Sequence, residues 1–333
     1  MSATLRVAIV TDDPGWHGAR LRRVFEARRV EARYVSLRDC HLDLGAGGHG
    51  VRIPGFETGL PDGVFVRGVP GGTLEQVVLR LDVLHALREL DIPVYNDARA
   101  IERTVDKGMT SFLVDRAGLP TPPTCVTETA ARARAFLLAE TAAGHDVVAK
   151  PLFGSQGVGL RRLKAGADIP DPSECGGVWY LQRYVETGAG DAGWHDWRVF
   201  VVGGMAVAAM VRRGASWVNN VAQGARCETA ALEPELVRLA VDACAAVGTD
   251  YGGVDLLRAQ DGRLQVLEVN SVPAWKGLQS VTHVDIASLL ADDFLDRCGR
   301  AQAAHRTLEP PPPPPPPPPA AAVTDLMERR AAR

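Results

Sequence analysis

The sequence predicts a mixed α/β and α+β fold, in which a parallel α/β unit precedes a region of antiparallel hairpins. Near the N terminus, short apolar runs alternate with stretches of helical periodicity, which is typical of strand-helix units around a parallel sheet. Towards the C terminus, two pairs of apolar runs are joined by the tight-turn dipeptides Gly203-Gly204 and Asp261-Gly262. A parallel sheet is therefore expected first, with antiparallel hairpins after it.

The composition is that of a soluble globular protein, with 46% hydrophobic and 23% charged residues in a chain of 333. The formal net charge of -3 gives no polyanion-binding signal, so we expect no nucleic-acid partner. No apolar window reaches the length of a membrane span, and the first residues lack the features of a signal peptide. The six cysteines are scattered without a CxxC pair, which predicts reduced thiols in the cytoplasm and argues against structural zinc.

The predicted parallel unit occupies the N-terminal part of the chain. Apolar runs at residues 5–10, 30–37 and 63–68 predict strands, and residues 73–90 have the spacing of an amphipathic helix. No GxGxxG follows the first strand, which argues against a dinucleotide site. Arg67 ends a strand at the edge where open α/β sheets bind ligands, so it either faces a substrate anion or is simply solvated.

The middle of the chain carries two lysines and a glycine-rich loop. Residues 98–120 predict one helix, in which Lys107 is either a ligand or an ordinary surface residue. A strand that ends at Lys150 leads into a loop and a second strand, and the loop contains Gly154, Gly157 and Gly159. Such a loop is a plain hairpin turn or a nest of N–H groups for phosphate, and the lysine before it favours phosphate. It is not a Walker A loop, because no Lys-Ser/Thr pair follows the last glycine.

A hairpin over residues 196–213 turns at Gly203-Gly204 and carries charged residues at its outer ends. Counting from that turn places Arg198 close to opposite Ala209. Arg198 and Arg212 therefore need not touch, although they could converge on one anion or form a solvated rim. A polar loop follows at residues 217–225, and no structural role is evident for Asn220 within it.

The hairpin over residues 251–270 predicts a metal site. If Asp261-Gly262 is the whole loop, Asp255 faces Glu268, and Asn270 lies on the same face as Glu268. Two carboxylates placed opposite each other are destabilising unless something positive lies between them. An all-oxygen set of Asp, Glu and Asn suits Mg²⁺. The alternative is an ordinary surface hairpin with solvated carboxylates.

The chain ends in a segment of different composition. Ten consecutive prolines, at positions 310–319, interrupt a polar stretch and predict an extended segment without a core. We expect residues 301–333 to be a disordered tail, with partner binding as the alternative.

Several segments occur in the order typical of ATP-grasp ligases and together resemble the RimK-like alpha-L-glutamate ligases. They are Lys107, AKPLFGSQGVGL, LQRYV, GVDLL and LEVN, and the resemblance covers about residues 60–292. The segment EVNSVPAWKGLQ departs from the commoner EVNASPGxxG. It is more similar to the tetrahydromethanopterin-type cofactor ligases than to those that modify a ribosomal protein.

This resemblance implies an ATP-grasp fold with three units and a tail. An N-terminal α/β domain would span residues 1–97, a central lid 98–182, a C-terminal α+β subdomain with the metal hairpin 183–300, and the tail 301–333.

The resemblance also implies roles for individual residues. ATP phosphates would be held by Lys107 and Lys150 and covered by the loop Gly154, Ser155, Gln156, Gly157 and Gly159. Adenine would lie against the main chain of Gln182, Tyr184 and Val185, near Arg183, which stands where the family often has a glutamate; Asp196 would lie near the ribose. Two Mg²⁺ ions, with Mn²⁺ as an alternative, would be bound by Asp255, Glu268 and Asn270. The acyl phosphate and substrates would face Arg198, Arg212 and Asn220.

The predicted function is an ATP- and Mg²⁺-dependent carboxylate-amine ligase that adds L-glutamate to a small cofactor, such as a tetrahydromethanopterin-type pterin, through an acyl phosphate. One alternative acceptor is a protein C terminus or an amino-group carrier protein, which basic surface near the acceptor site would favour. An aromatic slot near Trp16 or Trp275 would favour a pterin. The alternative to an enzyme is a non-catalytic ATP-binding scaffold. A homo-oligomer is also compatible with the sequence.

No catalytic triad is evident in the sequence. His17 and His195, with Asp12 or Asp196 nearby in sequence, are candidate bases, and solvated loop histidines are the alternative.

Overall fold

The computed structural model describes residues 4–45, 48–154, 157–187, 193–219, 221 and 224–308. Three sheets of four or five strands and one short strand pair form in these ranges. None of the helices within them is long and apolar enough to cross a membrane.

The first sheet is parallel, as predicted, and its strand order is β2-β1-β5-β6. The strands of this region are β1 (Arg6–Val10), β2 (Glu31–Val35), β3 (His41–Leu42), β4 (Val51–Arg52), β5 (Gly63–Val66) and β6 (Val94–Tyr95). Strands β3 and β4 form a separate antiparallel pair. Helix α1 (Gly15–Ala27) packs on one face and α2 (Leu74–Glu89) on the other. Thr73 begins α2 through a capping box with Gln76, which satisfies two N–H groups that a helix start leaves unpaired.

The helix predicted over residues 98–120 is wrong, because two helices lie there: α3 (Ala98–Val105) and α4 (Lys107–Arg116). The break is at Asp106, whose carboxylate accepts the N–H groups of Gly108 and Met109 at 2.8 and 3.1 Å. A new N-cap interrupts the helix without interrupting its composition, so periodicity does not reveal it. Lys107 therefore occupies the first position of a helix rather than the middle of one.

The second sheet is antiparallel, with strand order β7-β10-β8-β9, and α5 (Ala130–Ala142) packs against it. Its strands are β7 (Thr124–Thr127), β8 (Val147–Lys150), β9 (Arg161–Leu163) and β10 (Trp179–Arg183). Strand β7 is absent from the elements that the sequence predicted. It is a half-exposed edge strand with few apolar residues, so it lacks the sequence signal of a buried strand.

The third sheet is antiparallel, with strand order β13-β12-β11-β14-β15. Its strands are β11 (Trp194–Val202), β12 (Met205–Gly214), β13 (Arg226–Ala230), β14 (Tyr251–Arg258) and β15 (Leu264–Asn270). Helix α6 (Pro234–Val247) covers one face and ends at Gly248, whose φ of +82° is left-handed. After the short α7 (Lys276–Gln279), α8 (Ile286–Leu308) returns to the first sheet. There Phe294 of α8 shares a core with Phe65, Phe200 and Tyr251, which joins the first and third sheets.

The hairpin β11–β12 turns at Gly203-Gly204 as predicted, with φ of +56° and +78° at the two glycines. Arg198 lies one position away from the predicted neighbour Ala209. A bulge after the second pair adds Val207 to β12, so Arg198 faces Met210.

The hairpin β14–β15 shows the opposite outcome. The predicted two-residue loop is wrong, because Ala259 donates its N–H to Arg263 O at 2.9 Å and three residues lie between them. Asp255 nevertheless faces Glu268, as predicted, and Gly253 faces Asn270. A bulge adds Leu267 to β15 and cancels the shift that the longer loop introduces.

Candidate active site

A cavity of about 1010 Å³ is lined by residues of both antiparallel sheets and of the segment that follows β15. The predicted site residues that line it are Lys107, Lys150, Gly154, Gly157, Gln182, Arg183, Tyr184, Val185, Asp196, Arg198, Arg212, Glu268 and Asn270. Gly159 and Asp255 are absent from this wall. Ser155, Gln156 and Asn220 lie outside the described residues.

The two lysines are held at one end of the cavity. Lys150 Nζ donates to Gln182 Oε1 at 2.6 Å, and the Gln182 amide donates to Thr124 Oγ1 and to the Tyr180 hydroxyl, both at 3.0 Å. Lys107 Nζ donates to the carbonyl oxygen of Gly154 at 2.6 Å. Burial lowers the pKa of both ammonium groups, and the charge of Glu268 only partly opposes it.

The loop after Lys150 needs its glycines. Gly157 and Gly159 have left-handed φ values of +72° and +77°. A Cβ on Gly159 would lie 2.7 Å from Pro151 Cγ, closer than carbon atoms approach. Gly159 therefore lies against Pro151, directly after the end of β8 at Lys150.

Arg183 does not present its side chain to the cavity. Side chains alternate along β10, so Arg183 faces α5 with Leu181, while Gln182 faces the cavity. Its guanidinium forms a two-point ion pair with the buried Glu140, with the shorter contact at 2.6 Å. A main-chain contact to a ligand is therefore what Arg183 can offer. The neighbouring Tyr184 ring lies under the Arg162 guanidinium at 3.7 Å.

The anion on which Arg198 and Arg212 converge is the carboxylate of Asp255. Arg198 donates from Nε and Nη2 to its two oxygens, both at 2.6 Å, and Arg212 Nη2 lies 3.0 Å from Oδ2. Arg212 also forms a two-point pair with Asp196, which it faces directly because of the bulge in β12. Asn219 completes the cluster through bonds to Asp196 and to the carbonyl of Arg212.

This cluster holds its two aspartates differently. Burial opposes ionisation of Asp255, but Arg198 and Arg212 outweigh burial and hold the pKa of that carboxyl below its usual range. Burial raises the pKa of Asp196 to about 6, although Arg212 opposes the shift. Asp255 is therefore the more firmly ionised of the pair.

Glu268 and Asn270 form an oxygen-bearing edge on the cavity. The Asn270 amide nitrogen donates to Glu268 Oε1 at 3.1 Å and to Gly253 O at 3.3 Å, which turns the amide oxygen away from both. The described ranges hold no cluster of three or more His, Cys, Asp and Glu side chains placed for a metal ion. Mg²⁺ needs few protein ligands, since it commonly takes one or two carboxylates plus phosphates and water. Glu268 and Asn270 fit that demand, and Asp255 faces Glu268 across the hairpin.

The structure also places residues for which the sequence left alternatives. Arg67 binds the protein itself, donating to the carbonyl of Pro273 at 3.1 Å and to the Tyr251 hydroxyl at 3.3 Å. Trp275 has no exposed surface, so its ring cannot form the wall of an open aromatic slot. His17 is half-buried, and its Nε2 accepts the N–H groups of Trp275 and Lys276 at 3.1 and 3.3 Å.

Neither predicted histidine base has the expected carboxylate partner. Asp12 pairs with Arg38 at 2.8 Å, away from His17, and Asp196 is committed to Arg212. His195 lines the cavity with its Nδ1 near Gly193 O at 3.1 Å.

Sequence reasoning missed part of the wall, above all Asn219, Ser271 and Lys276. Asn219 stands beside the predicted Asn220, and Lys276 lies within the quoted EVNSVPAWKGLQ segment. The signal was therefore available for Lys276, whereas nothing in the sequence separates Asn219 from its neighbour.

Comparisons with known proteins agree with this geometry. The family model described as a RimK-like ATP-grasp domain matches residues 104–294. A tetrahydromethanopterin:alpha-L-glutamate ligase of Methanococcus maripaludis is 36% identical over 238 residues, covering 70% of this chain and 78% of the relative. The enzyme of that name from Methanocaldococcus jannaschii is 37% identical over 224 residues, covering 65% and 74%.

Among solved structures, the ATP-grasp ligase PsnB, complexed with a phosphomimetic variant of its minimal precursor, Mg and ADP, superposes with a TM-score of 0.69. The match covers 89% of this chain and 99% of PsnB at 22% sequence identity, so it shows the fold alone. The family match, the relatives and the fold together show that this chain belongs to the RimK-like ATP-grasp family and is a ligase that forms carbon–nitrogen bonds.

Proposed function

We propose that the enzyme uses ATP and Mg²⁺ to join L-glutamate to the carboxylate of a small pterin-type cofactor or its precursor. The observation that carries the proposal is the convergence of Lys107, Lys150 and the Glu268–Asn270 edge on one cavity. That arrangement suits phosphoryl transfer, which depends on positioning and charge neutralisation. The choice of substrates follows the names of the methanogen relatives, which share more than a third of their aligned residues with this chain.

A carboxylate must acquire a leaving group before an amine can displace its oxygen. Transfer of the γ-phosphoryl group of ATP to the acceptor forms an acyl phosphate, and attack by the amine of L-glutamate then releases phosphate. Lys107 and Lys150 would hold the phosphates, and Arg198 and Arg212 would contribute positive charge at the acyl phosphate. The loop that includes Gly154 would cover the nucleotide.

Glu268 and Asn270 would hold Mg²⁺, with Asp255 as a further ligand. The bound metal would supply charge neutralisation between phosphate oxygens. We propose two ions, with Mn²⁺ able to replace them. The short contacts from Arg198 and Arg212 mean that Asp255 would share its oxygens between guanidinium groups and metal.

The nucleotide base would lie beside β10 and the residues after it. Arg183 and Tyr184 donate their main-chain N–H groups to the carbonyls of Pro123 and Asp146. Val185 follows them on the cavity wall, where its main chain would contact adenine, with Gln182 fixing Lys150 nearby. Arg212 and Asn219 already donate hydrogen bonds to the carboxylate oxygens of Asp196. Asp196 would therefore contact the ribose only with the side of its carboxylate that these bonds leave open.

A protein C terminus or an amino-group carrier protein is the alternative acceptor, and a non-catalytic ATP-binding scaffold is the alternative to an enzyme. All six cysteines are unpaired, which supports the proposal of a cytoplasmic enzyme. Residues 309–333 of the proline-rich tail lie outside the described ranges, and partner binding by the tail stays a prediction, as does a homo-oligomer.

The test is ADP release by the purified protein with ATP, Mg²⁺ and L-glutamate across a panel of acceptor carboxylates that includes a pterin cofactor. Glu268→Gln should reduce turnover by about a hundredfold or more, because it removes a charge from the phosphate-metal edge. Glu26→Gln, on the surface of α1, is the matched control and should keep full activity.

Mass spectrometry of the product should show the acceptor plus one or more glutamyl units. Turnover only with a peptide acceptor would favour the alternative in which the acceptor is a protein C terminus. ATP binding without turnover on any acceptor, unchanged in Glu268→Gln, would support the scaffold instead.

A further inference from the structure

The cavity wall carries more positive than negative charge. Apart from Arg183, whose side chain faces α5, its described part has five basic side chains, Lys107, Lys150, Arg198, Arg212 and Lys276, against the two carboxylates Asp196 and Glu268. An excess of this sign fits the ligands of the proposed reaction, since ATP, L-glutamate and the acceptor are all anions.

Four of these five basic groups already have partners within the protein. The two lysines at the ATP end donate to Gly154 and Gln182, and the two arginines are paired with carboxylates. Within the described ranges, the Lys276 ammonium has no hydrogen bond or ion pair, and its side chain is exposed. Lys276 is therefore the one wall cation of this part of the chain that is free for a ligand.

The main chain of Lys276 is fixed although its side chain is not. His17 accepts its N–H at 3.3 Å and that of the preceding Trp275 at 3.1 Å. Trp275 is fully buried under the Arg67 guanidinium, which lies 4.5 Å from its ring centre. Arg67 also binds the carbonyl of Pro273. These contacts hold the start of the Lys276 side chain rigidly, and a fixed attachment point lowers the entropy cost of binding a ligand.

The position of Lys276 separates it from the phosphate chemistry. Lys107 and Lys150 contact Gly154 and Gln182 at the second sheet. Lys276 instead begins α7, which packs on β12 and β13 and whose first N–H donates to His17 of α1. An anion bound there would be a group away from the bond being formed. L-Glutamate has such a carboxylate on its side chain, and an acceptor with more than one carboxylate has another.

We propose that Lys276 is a specificity-determining residue that binds a substrate carboxylate remote from the reacting one. The proposal rests on the proposed function for the identity of the substrates. It predicts that removing the charge weakens one carboxylate substrate and leaves ATP unaffected.

The experiment compares Lys276→Gln and Lys276→Arg with wild type, and measures KM separately for ATP, L-glutamate and the acceptor. Lys276→Gln should raise the KM of one carboxylate substrate by about tenfold to a hundredfold, the value of one charged hydrogen bond. The KM for ATP should stay within about twofold, and Lys276→Arg should restore most of the affinity. Lys164→Gln, an exposed lysine outside the cavity, is the matched control.

L-Glutamine distinguishes the two sources of the carboxylate, because it lacks the side-chain charge. If Lys276 binds L-glutamate, the Lys276→Gln variant should lose the preference for L-glutamate over L-glutamine. If Lys276 binds the acceptor, that preference should persist while the acceptor KM rises. Unchanged KM values for both, or an equal rise for ATP, would overturn the proposal.

A binding measurement separates this proposal from the proposed function. Calorimetric titration of L-glutamate, and of the acceptor, is carried out in the presence of Mg²⁺ and a non-hydrolysable ATP analogue. Weaker binding to Lys276→Gln would support Lys276 as an anion site even if wild type shows no turnover. Equal binding to both proteins would reject it even if turnover is normal.

Discussion

The two hairpins of the third sheet, β11–β12 and β14–β15, teach different lessons about the same kind of sequence signal. In β11–β12 the glycine pair marks the turn correctly, yet the residues at the site are displaced by one position from the expected register. In β14–β15 the turn is one residue longer than expected, yet the site residues face each other as expected. Each hairpin contains one bulge, and the bulge decides which side chains meet at the cavity.

The bulge in β11–β12 creates the arginine cluster. Without Val207 as an extra residue, Asp196 would face Val211 and Arg212 would face His195. With it, Arg212 lies opposite Asp196 and also reaches Asp255, while Arg198 faces Asp255 on β14. The side chain of Val207 packs against the core that the third sheet shares with the first, so the extra residue is accommodated by partial burial.

The bulge in β14–β15 returns Glu268 and Asn270, the proposed metal ligands, to the cavity face of the sheet. The longer loop would place Asp255 opposite Leu267, with Glu268 on the helix side of the sheet. The extra residue returns Glu268 to the cavity and keeps Val269 buried against the third-sheet core. Gly253 opposite Asn270 leaves space that Pro273 fills, since a Cβ there would lie 2.9 Å from the Pro273 Cβ.

Inserting one alanine between Leu267 and Glu268 should have the largest effect, because the bulge already holds one extra residue and a second one shifts every later residue of β15 to the other face. Glu268 would leave the cavity and Val269 the core. We expect ADP release to fall by at least about a hundredfold and the free energy of unfolding to fall by about 5 kcal/mol. Leu267→Ala keeps the residue count and is the control, with activity within about fivefold of wild type. Equal activity in the two variants would show that the number of residues between Val266 and Glu268 does not set the register.

The arginine cluster gives the next largest effect. Arg212→Met leaves Asp196 without its main partner in a buried site and should lower the free energy of unfolding by about 3 to 5 kcal/mol. Arg198→Met leaves Asp255 still paired with Arg212, so about half that loss is expected. Urea unfolding of the two variants measures the difference. An equal loss in both would mean that the double pairing of Arg212 contributes nothing to stability.

The two turns can be compared through their glycines. Gly203→Ala introduces a left-handed alanine whose Cβ would lie 2.7 Å from Asp293 Oδ1, and Asp293 is itself held by Tyr95 and Arg297. Gly262→Ala meets no atom within 4 Å and adds backbone strain alone. We expect losses in unfolding free energy of about 3 and about 1 kcal/mol respectively. Thermal unfolding of the two variants measures these losses, and equal losses would contradict the expected difference between the two turns.

The stability of the segment that follows β15 should depend on pH, because His17 accepts main-chain hydrogen bonds from Trp275 and Lys276 in that segment. This pH dependence should distinguish the end of β15 from the β11–β12 hairpin. Burial, with Arg67 and Lys276 nearby, lowers the pKa of His17 from 6.5 to about 4. Between these values the unfolded chain takes up a proton that the folded protein does not, so stability is full above pH 6.5 and falls towards pH 4.

His17→Gln keeps a hydrogen-bond acceptor but does not titrate. From pH 7 to pH 5, wild type should lose about 1 kcal/mol more unfolding free energy than His17→Gln, after a discount for the partial exposure of the ring. Urea titrations at the two pH values measure this difference, and all other groups are common to both proteins. Parallel losses would mean that His17 does not carry the linkage.

Local signals in the sequence were sufficient for most elements of the fold. Apolar periodicity placed the parallel strands and α2, and glycine pairs or Asp-Gly placed both turns, because these depend on neighbours a few residues apart. The same signals failed where a short polar residue or an edge position was decisive. Asp106 divides α3 from α4 by capping, and β7 is too exposed to show an apolar pattern.

The sequence by itself determined the family, the order of the lysines and the glycine loop. Only the tertiary structure decided that Arg198 and Arg212 share the carboxylate of Asp255, and that Lys276 is left without a partner in the described part of the cavity wall. The physical reason is range. Turn chemistry and periodicity act between near neighbours, whereas bulges, ion-pair choice and burial are settled by packing between sheets that are distant in the chain.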